Sequence, residues 1–393
     1  MIGETQMGHT NATSNTQKMG NQGKPAILHI CLSTGWGGLE MYPSRMGKEF
    51  IDKGYRVFGL ASENSRVANA MKEAGIDVFT VPKKAALFGP TLFALNKWLK
   101  ANNVQIVHCH KSGDILISAL LSLLTRRHTL FTEHMGVKRP KKDIYHRWVY
   151  GHVDQVLSIS NETYQRNIKA LPVVENKIER LWLGTYIEKK TFDEENRPHL
   201  LASEYGLSHD TTFIGSVGRI CDGKGQADLL AGFELIAADY PNTHLVLIGG
   251  LNPDEGADED FSNKLQEKAK SSVFADRVHL AGYRKNVPTL LEEIQIVCLP
   301  YWNEAFGLTA IEAMAQHCAI VASNTGALPE ILEETGVYCA PQDPQSIAAG
   351  LKQYLDDPAL MAKNAQEGYL RAVEHFSMQG HADKLEEIYL RGI

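Results

Sequence analysis

The 393-residue sequence has no long hydrophobic run. Its longest apolar stretch, from Ile115 to Leu124, is about half the length that a membrane-spanning helix needs. The N-terminus also lacks the basic-then-apolar pattern of a secretion signal. We therefore expect a cytoplasmic protein, whose membrane contact would be peripheral, at the cytoplasmic face.

Cysteine is scarce, and the few cysteines are far apart. The six are Cys31, Cys109, Cys221, Cys298, Cys318 and Cys339. None belongs to a CxxC pair, which argues against disulfides and against a zinc cluster. We expect these thiols to fill the core.

The glycine spacing of a dinucleotide-binding loop is missing. After the first predicted strand, glycines stand at Gly35, Gly37 and Gly38, and Glu40 follows, which does not fit the GxGxxG pattern. Paired glycines before a helix still allow a backbone to approach a ligand closely. The absence of the pattern disfavours a dehydrogenase.

Charge is divided unequally along a chain whose net charge is −6. Residues 24–187 carry 23 Lys and Arg against 13 Asp and Glu, whereas residues 188–393 carry 16 against 32. The basic half suggests an anionic partner, such as lipid headgroups or a phosphorylated glycolipid. The sequence has no RNP-like motif or zinc-finger spacing and a pI near 6.2, so we predict no nucleic-acid binding.

Strand-like and helical segments alternate in two successive series, which is typical of two α/β domains with parallel, doubly wound sheets. The predicted strands are 26–32, 56–60, 106–109, 129–132 and 155–159, then 213–217, 243–248, 277–280, 295–300 and 319–322. A polar, aliphatic-poor stretch predicts a disordered tail over residues 1–23. We predict an N-terminal domain over 24–187, a C-terminal domain over 188–374 and a last helix over 375–393.

Two carboxylates flank the most informative turn of the sequence. A buried strand ends at Pro300, Glu304 lies on the following loop, and Glu312 lies in a helix that begins after Gly307. The first N–H groups of that helix would attract an anion, while carboxylates suit neutral hydroxyl groups. An anion beside a polyol suggests a nucleotide sugar.

A second loop, in the same half, could neutralise a diphosphate. Arg219 and Lys224 follow the strand that ends at Val217, so both cations fall at the carboxyl end of a sheet. For this loop alone, a solvated turn is an equally good interpretation.

Five motifs in order resemble those of the family-4 retaining glycosyltransferases of the GT-B fold. They are Gly37-Gly38-Leu39-Glu40, Thr132-Glu133-His134, Val217-Gly218-Arg219 with Lys224-Gly225, Glu304-Ala305-Phe306-Gly307 with Glu312-Ala313-Met314, and Gly326-Ala327-Leu328-Pro329-Glu330. The resemblance covers residues 25–393. It implies two Rossmann-like domains facing across a cleft, with the last helix returning to the N-terminal domain.

The resemblance also implies a role for each matched residue. Arg219 and Lys224 would hold the donor diphosphate, Glu304 would bind the transferred sugar, and His134 would lie near that sugar as the fourth catalytic residue. The donor-binding residues would be Gly37, Gly38, Gly307, Leu308, Thr309 and Glu312. The implied reaction transfers a sugar from a nucleoside-diphosphate sugar, UDP by family frequency, with retention of configuration and with neither cofactor nor metal.

The sequence is also compatible with other functions and with another candidate site. A nucleotide-sugar epimerase of the same architecture and a non-catalytic nucleotide-sugar sensor are the alternative functions. His108, His110 and His134 could be imagined as metal ligands, but no carboxylate stands at ligand spacing, so we predict no metal site.

The acceptor side carries less information. Cations and aromatic residues alternate around Lys83 to Lys100 and around Lys138 to Tyr150, as in peripheral membrane segments. We expect a glycolipid or oligosaccharide acceptor, in lipopolysaccharide or cell-surface polysaccharide synthesis. The basic N-terminal domain would then contact the inner leaflet.

Overall fold

The structure is a computed structural model, and it describes residues 23–137, 139–188 and 197–393. Residues 1–22 of the predicted tail therefore lie outside the described residues, as do Lys138 and residues 189–196 at the predicted domain boundary. In the described parts of the chain, no helix is both long and apolar enough to cross a membrane.

The first half of the chain forms a parallel sheet of seven strands in the order β3-β2-β1-β4-β5-β6-β7. Its strands are β1 (Ala26–Cys31), β2 (Val57–Ser62), β3 (Asp77–Val81), β4 (Val104–Cys109), β5 (His128–Glu133), β6 (Gln155–Ser158) and β7 (Ile178–Arg180). Its helices are α1 (Gly38–Asp52), α2 (Arg66–Glu73), α3 (Pro90–Ala101), α4 (Ile115–Leu124), α5 (Ile144–Tyr150) and α6 (Asn161–Ala170).

The second half forms a parallel sheet of six strands in the order β10-β9-β8-β11-β12-β13. Its strands are β8 (Thr212–Val217), β9 (Thr243–Ile248), β10 (Val278–Gly282), β11 (Ile296–Leu299), β12 (Ala319–Ser323) and β13 (Gly336–Cys339). The remaining helices are α7 (Leu200–Tyr205), α8 (Gln226–Ile236), α9 (Glu259–Ser271), α10 (Val287–Glu293), α11 (Leu308–Met314), α12 (Leu328–Leu332), α13 (Pro344–Asp356), α14 (Pro358–His375) and α15 (Met378–Leu390).

Three strands have no counterpart in the sequence prediction, and each has a physical reason. Strand β3 lies at a sheet edge with only Val81 buried, so it shows no continuous apolar run. Strands β7 and β13 have three and four residues, which is too short for a period to be recognised. The ten predicted strands are all present, and nine of them are fully or largely buried. The exception is β10, an edge strand in which only Val278 is buried.

Helices cover both faces of each sheet, and one apolar cluster is continuous between the two sheets. This cluster includes Ile27 and Met46 from the first half, Val217 and Phe306 from the second, and Phe376 at the end of α14. Five of the six cysteines are buried, as the sequence predicts, whereas Cys221 is only half-buried; all six are free.

The chain returns from the second half to the first after α14. The N–H of Thr185 donates to the Phe376 carbonyl at 2.9 Å, and the N–H of Met378 donates to the Thr185 carbonyl at 2.8 Å. Helix α15 then packs on α1, where the Tyr42 hydroxyl and His381 Nε2 are 2.7 Å apart and Lys53 Nζ lies 2.6 Å from Glu386.

Candidate active site

The strand order reverses at one point in each sheet. Between β1 and β4, and again between β8 and β11, the two connections run in opposite directions and leave a crevice at the carboxyl ends of the strands. The loops after these four strands contain most of the predicted site residues. Sheet topology therefore brings them to two facing edges.

The loop after β8 is held in place by glycines and backbone hydrogen bonds. Gly225 has φ +70°, and a Cβ there would lie 2.3 Å from the Pro300 carbonyl oxygen. The Trp302 N–H donates to the Gly223 carbonyl at 3.0 Å. The loop thus packs directly against the segment that follows β11.

Lys224 and Glu304 meet across these two loops. Lys224 Nζ lies 2.7 Å from Glu304 Oε2 and 3.8 Å from the centre of the Tyr301 ring. Tyr301 is buried, and its hydroxyl donates to the Val217 carbonyl at 3.0 Å. The aromatic ring and the carboxylate both stabilise the ammonium group at this position.

Arg219 differs from Lys224 because its charge is not paired. Its carbonyl accepts from Gln226 Nε2 at 2.8 Å, which fixes the backbone, but its exposed guanidinium forms no ion pair within the described residues. A Cβ at Gly256 would lie 3.5 Å from its Cδ, so the side-chain stem runs along that turn. The guanidinium therefore stays available for an anion.

Helix α11 begins at Leu308, as predicted, after Gly307 with φ +105°. A Cβ on Gly307 would come within 2.9 Å of Leu328 Cδ2, so both the conformation and the space favour glycine. Within the described residues, the N–H groups of Gly307, Leu308 and Thr309 have no acceptor. Because α11 has only seven residues, these N–H groups matter more for anion binding than a long helix dipole.

Glu312 lies one turn further along α11 and is half-buried. Burial raises the pKa of its carboxyl, and the charge of Arg45 opposes that rise. Arg45 belongs to α1, in the first half of the chain, so this charge interaction crosses the cleft. Sequence reasoning missed Arg45; the only available signal was its place two turns into the helix that begins at Gly38.

The glycine-rich turn after β1 stands opposite α11. A Cβ at Gly38 would lie 3.8 Å from Leu308 Cδ1, an ordinary contact distance. Gly37 is extended at φ −172°, a conformation open to any residue. The Glu40 carboxylate folds back over this turn and accepts from the Ser33 hydroxyl at 2.7 Å, so a protein anion already lies beside the start of α1.

His134 follows β5 in the N-terminal wall of the cleft. Its Nε2 lies 3.5 Å from His110 Nδ1, and its ring centre lies 5.0 Å from that of Tyr42. Burial lowers the pKa of His134 to about 3, so the imidazole is neutral. The contacts of the described residues do not join His134 to Lys224 or Glu304.

Two family profiles match the sequence and divide it between them. The profile described as "Glycosyltransferase Family 4" matches residues 36–188, and "Glycosyl transferases group 1" matches residues 196–371. The chain belongs to the family-4, group 1 glycosyltransferases. This confirms the resemblance predicted from the five motifs.

Curated relatives of this glycosyltransferase include a glycogen synthase from Mycobacterium tuberculosis, 32% identical over 178 residues. The match covers 44% of this chain and 41% of that protein, so the chain spans less than half of that relative. The lipopolysaccharide core biosynthesis mannosyltransferase LpsB from Rhizobium meliloti is 26% identical over 300 residues, covering 74% of this chain and 78% of LpsB.

Solved structures establish the fold. A glycosyltransferase from Rickettsia africae superposes with a TM-score of 0.82 at 19% identity, covering 94% of this chain and 98% of the other. HepE from Anabaena, solved with UDP and glucose, superposes with a TM-score of 0.77 at 18% identity, covering 93% and 99%. The glycosyltransferase therefore has the predicted GT-B fold.

Glu330, the last residue of the Gly326–Glu330 motif, joins the two domains. The Glu330 carboxylate accepts from the Asn161 N–H at 2.6 Å and from the Trp182 indole at 2.5 Å, and it pairs with Arg180 at 3.1 Å. The Ser160 hydroxyl donates to the Ala305 carbonyl at 2.8 Å. Sequence reasoning matched Glu330 to the family but gave it no role.

The histidines of the first sheet are the one potential metal cluster in the described part of the glycosyltransferase. His29, His108 and His110 place one nitrogen each within 4.8 Å of one another, so this group contains His29 instead of His134, the third histidine suggested by the sequence. Both His108 nitrogens already have partners, Tyr389 Oη at 2.6 Å and Thr132 Oγ1 at 2.7 Å. His29 Nδ1 and His110 Nε2 are hydrogen-bonded at 2.9 Å, so a metal would have to break these contacts.

Proposed function

We propose that this glycosyltransferase moves a sugar from a nucleoside-diphosphate sugar, in our view a UDP-sugar, to a glycolipid or oligosaccharide acceptor. The reaction retains the anomeric configuration, needs no metal or cofactor, and serves lipopolysaccharide or cell-surface polysaccharide synthesis. Relatives such as LpsB, named for lipopolysaccharide core biosynthesis, support this setting.

One observation carries the proposal. Two cations and a set of N–H groups lie at the carboxyl edge of β8 and β11, and these N–H groups have no acceptor in the described part of the chain. The glycine turn after β1 stands opposite. A diphosphate supplies the negative charge that Arg219, Lys224 and these N–H groups suit. The Glu304 carboxylate at the same edge suits a sugar hydroxyl.

The residues then divide the work. Arg219 and Lys224 stabilise the charge that develops on the departing nucleoside diphosphate, which is the main electrostatic contribution to catalysis. Gly307, Leu308 and Thr309 add N–H donors to the phosphates, and Glu312 accepts the ribose hydroxyls. His134 faces the transferred sugar, and Gly37 and Gly38 let the N-terminal domain approach the donor.

The transfer itself is a front-face substitution at the anomeric carbon. The glycosidic bond to the phosphate breaks as the acceptor oxygen bonds from the same side, and the leaving phosphate takes the acceptor proton. Configuration is retained without a protein nucleophile. The protein contributes position and charge rather than covalent chemistry.

The donor can be identified with a panel of nucleotide sugars and purified protein in buffer containing a chelator. Released nucleoside diphosphate is measured with and without extracts rich in lipid-linked oligosaccharides. We expect release from one donor, and we expect Lys224→Ala and Glu304→Ala each to abolish it. Sugar recovered on a lipid would exclude an epimerase, which transfers nothing.

Two results would contradict the proposal. Conversion of the bound sugar to its epimer, with no diphosphate released, would identify an epimerase. Tight donor binding without release, even with extracts present, would identify a nucleotide-sugar sensor.

A surface on the N-terminal domain supports membrane contact by the acceptor side. Around α5, Ile144, Tyr145 and Trp148 are exposed by 88%, 51% and 40% of their area, and Lys142 is exposed beside them. Lys141 contributes less than expected, because its Nζ lies 3.3 Å from the Tyr150 hydroxyl and the side chain is half-buried. Apolar and cationic groups on one surface suit an anionic bilayer.

Vesicle co-sedimentation tests this contact with a matched pair of variants. Ile144→Ser removes an isoleucine exposed by 88%, and Val273→Ser removes a valine exposed by 87% on the other domain. We expect Ile144→Ser to weaken binding to vesicles containing anionic lipid several-fold, and Val273→Ser to leave it unchanged. Equal effects of both variants, or binding that ignores lipid charge, would refute the membrane surface.

A further inference from the structure

Three histidines form a row that leads from the cleft into the core of the N-terminal domain. His134 Nε2 is 3.5 Å from His110 Nδ1, and His110 Nε2 is 2.9 Å from His29 Nδ1. The exposed fractions fall from 8% at His134 to 1% at His110 and 0% at His29. The donor-site motifs use only the first member of this row.

The sheet dictates the arrangement. His29 on β1 and His108 on β4 are register partners, and His110 is two residues beyond His108. Side chains two residues apart project from the same face of a strand, so His29 and His110 meet on one face. The His29 and His110 rings are stacked with their centres 5.1 Å apart.

The inner end of the row determines where its protons lie. His29 Nε2 is buried and has no hydrogen-bond partner within the described residues. A buried N–H without an acceptor is rarer in proteins than a buried acceptor without a donor. The favoured form of His29 therefore has its proton on Nδ1, where it can donate to His110.

Each neutral imidazole has one N–H and one acceptor nitrogen, so the tautomer of His29 determines the tautomers of His110 and His134. His110 Nε2 accepts from His29, which leaves the His110 proton on Nδ1. That N–H points to His134 Nε2, which must accept it. The His134 proton is thereby placed on Nδ1.

We propose that His29 and His110 are positioning residues that hold His134 in the Nδ1–H tautomer. In that form, His134 Nδ1–H can donate a hydrogen bond to a ligand in the cleft. His134 Nδ1 has no partner within the described residues, nor is it among the buried unpaired atoms. An N–H suits a phosphate or sugar oxygen. The catalytic consequence rests on the proposed glycosyl transfer, whereas the tautomer does not.

The surroundings keep the row uncharged. Burial lowers the pKa of His29 and of His134 to about 3 and lowers that of His110 well below the usual value. Among the described residues, the rings that contact the row include those of Tyr42 and His108, and Tyr42 in turn contacts His381. The three imidazoles are therefore neutral and are linked by hydrogen bonds.

Nitrogen-15 NMR of the full chain, labelled at histidine and measured without ligand, tests the tautomer directly. Protonated and unprotonated ring nitrogens differ in chemical shift, and His134→Ala assigns the relevant signals. We expect His134 to carry its proton on Nδ1. A proton on Nε2 of His134 in the unaltered protein would overturn the proposal.

A pair of substitutions at the inner end tests the coupling. His29→Asn keeps a donor near the position of Nδ1, and His29→Leu removes it. We expect His29→Asn to keep the His134 tautomer and His29→Leu to give a mixture of both forms. An unchanged His134 signal in folded His29→Leu would show that His29 does not set the tautomer.

Activity adds a readout that a purely structural role would not change. We expect His29→Leu to lower kcat/KM about 10-fold in the unaltered background and to have no further effect when His134 is alanine. The same loss in both backgrounds would mean that His29 acts elsewhere. Because the NMR needs no substrate, a wrong donor or reaction would leave the tautomer result standing.

Discussion

The two sheets share the same order of their first six strands, yet their crevices are built from different chemistry. In the C-terminal domain, the crevice presents Arg219, the Lys224–Glu304 pair and N–H groups that have no acceptor among the described residues. In the N-terminal domain, the same position is occupied by neutral buried histidines and by the chain's own Glu40 carboxylate. The sheet topology determines where a ligand can bind. The side chains of each crevice determine which chemical groups of the ligand that domain can contact.

In the proposed reaction, this difference would let the two similar halves bind different parts of one donor. The donor diphosphate would be attracted to the cationic edge and repelled by the Glu40 carboxylate. The neutral wall around His134 is then free to contact uncharged hydroxyl groups.

Removing the Arg219 cation, which has no ion-pair partner within the described residues, should slow the reaction strongly. We expect Arg219→Ala to lower kcat about 100-fold, because the leaving diphosphate loses one charge partner, while the melting temperature stays the same. Steady-state kinetics and thermal unfolding measure the two quantities. Arg66→Ala is the matched control, because Arg66 is also exposed and belongs to no ion pair of the described residues, and it should change neither quantity.

The C-terminal loop should need its glycine far more than an ordinary turn does. We expect Gly225→Ala to lower the free energy of unfolding by about 3 kcal/mol, because φ is +70° and the new Cβ would meet the Pro300 carbonyl. Gly206 has φ +66° but open space, so Gly206→Ala should cost about 1 kcal/mol. Equal losses in urea unfolding would show that the loop can relax away from Pro300.

The neutral histidines should make stability depend on pH. The pKa of His29 and His134 is about 3 when folded, against 6.5 for the ordinary group, so the unfolded chain binds more protons below pH 6.5. Stability is therefore complete above that pH and declines as pH falls, by about 2 kcal/mol per histidine between about pH 6.5 and pH 5. Urea unfolding at both pH values measures this loss.

His29→Leu is the control for the pH effect, because it removes one titrating group from the cluster. The loss of stability on acidification should then shrink by about 2 kcal/mol. A loss that is the same with and without His29 would mean that carboxylates elsewhere dominate acid unfolding.

The glycine turn of the N-terminal domain should give the smallest effect. Gly37 is extended, and a Cβ there would meet only the flexible end of Glu40 at 3.3 Å. We expect Gly37→Ala to change the free energy of unfolding by less than about 0.5 kcal/mol. A loss comparable to that of Gly225→Ala would erase the contrast between the two loops.

The sequence was sufficient for the fold because parallel strands buried on both faces leave continuous apolar runs. All ten predicted strands are present, and the helix after Gly307 begins where the turn indicates. The missed strands β3, β7 and β13 are an edge strand or very short, so they leave no such signal.

The site was predictable only where it lies on local motifs. Arg219, Lys224, Glu304 and Gly307 follow strands that neighbour each other in one sheet, so their meeting follows from topology. The Arg45–Glu312 interaction depends on how the two domains face each other, which one-dimensional spacing does not encode. His29 was overlooked because its relation to His110 arises from strand register, a property of two distant segments.

The Glu330 contacts also constrain how the cleft can open. One carboxylate holds the first N–H of α6, the Trp182 indole and the Arg180 guanidinium, all at the floor between the domains. A rotation about that point leaves these bonds nearly intact, whereas a translation would break them together. We therefore expect the two domains to rotate about a hinge near Glu330. A small rotation there would give a larger displacement at the open end of the cleft.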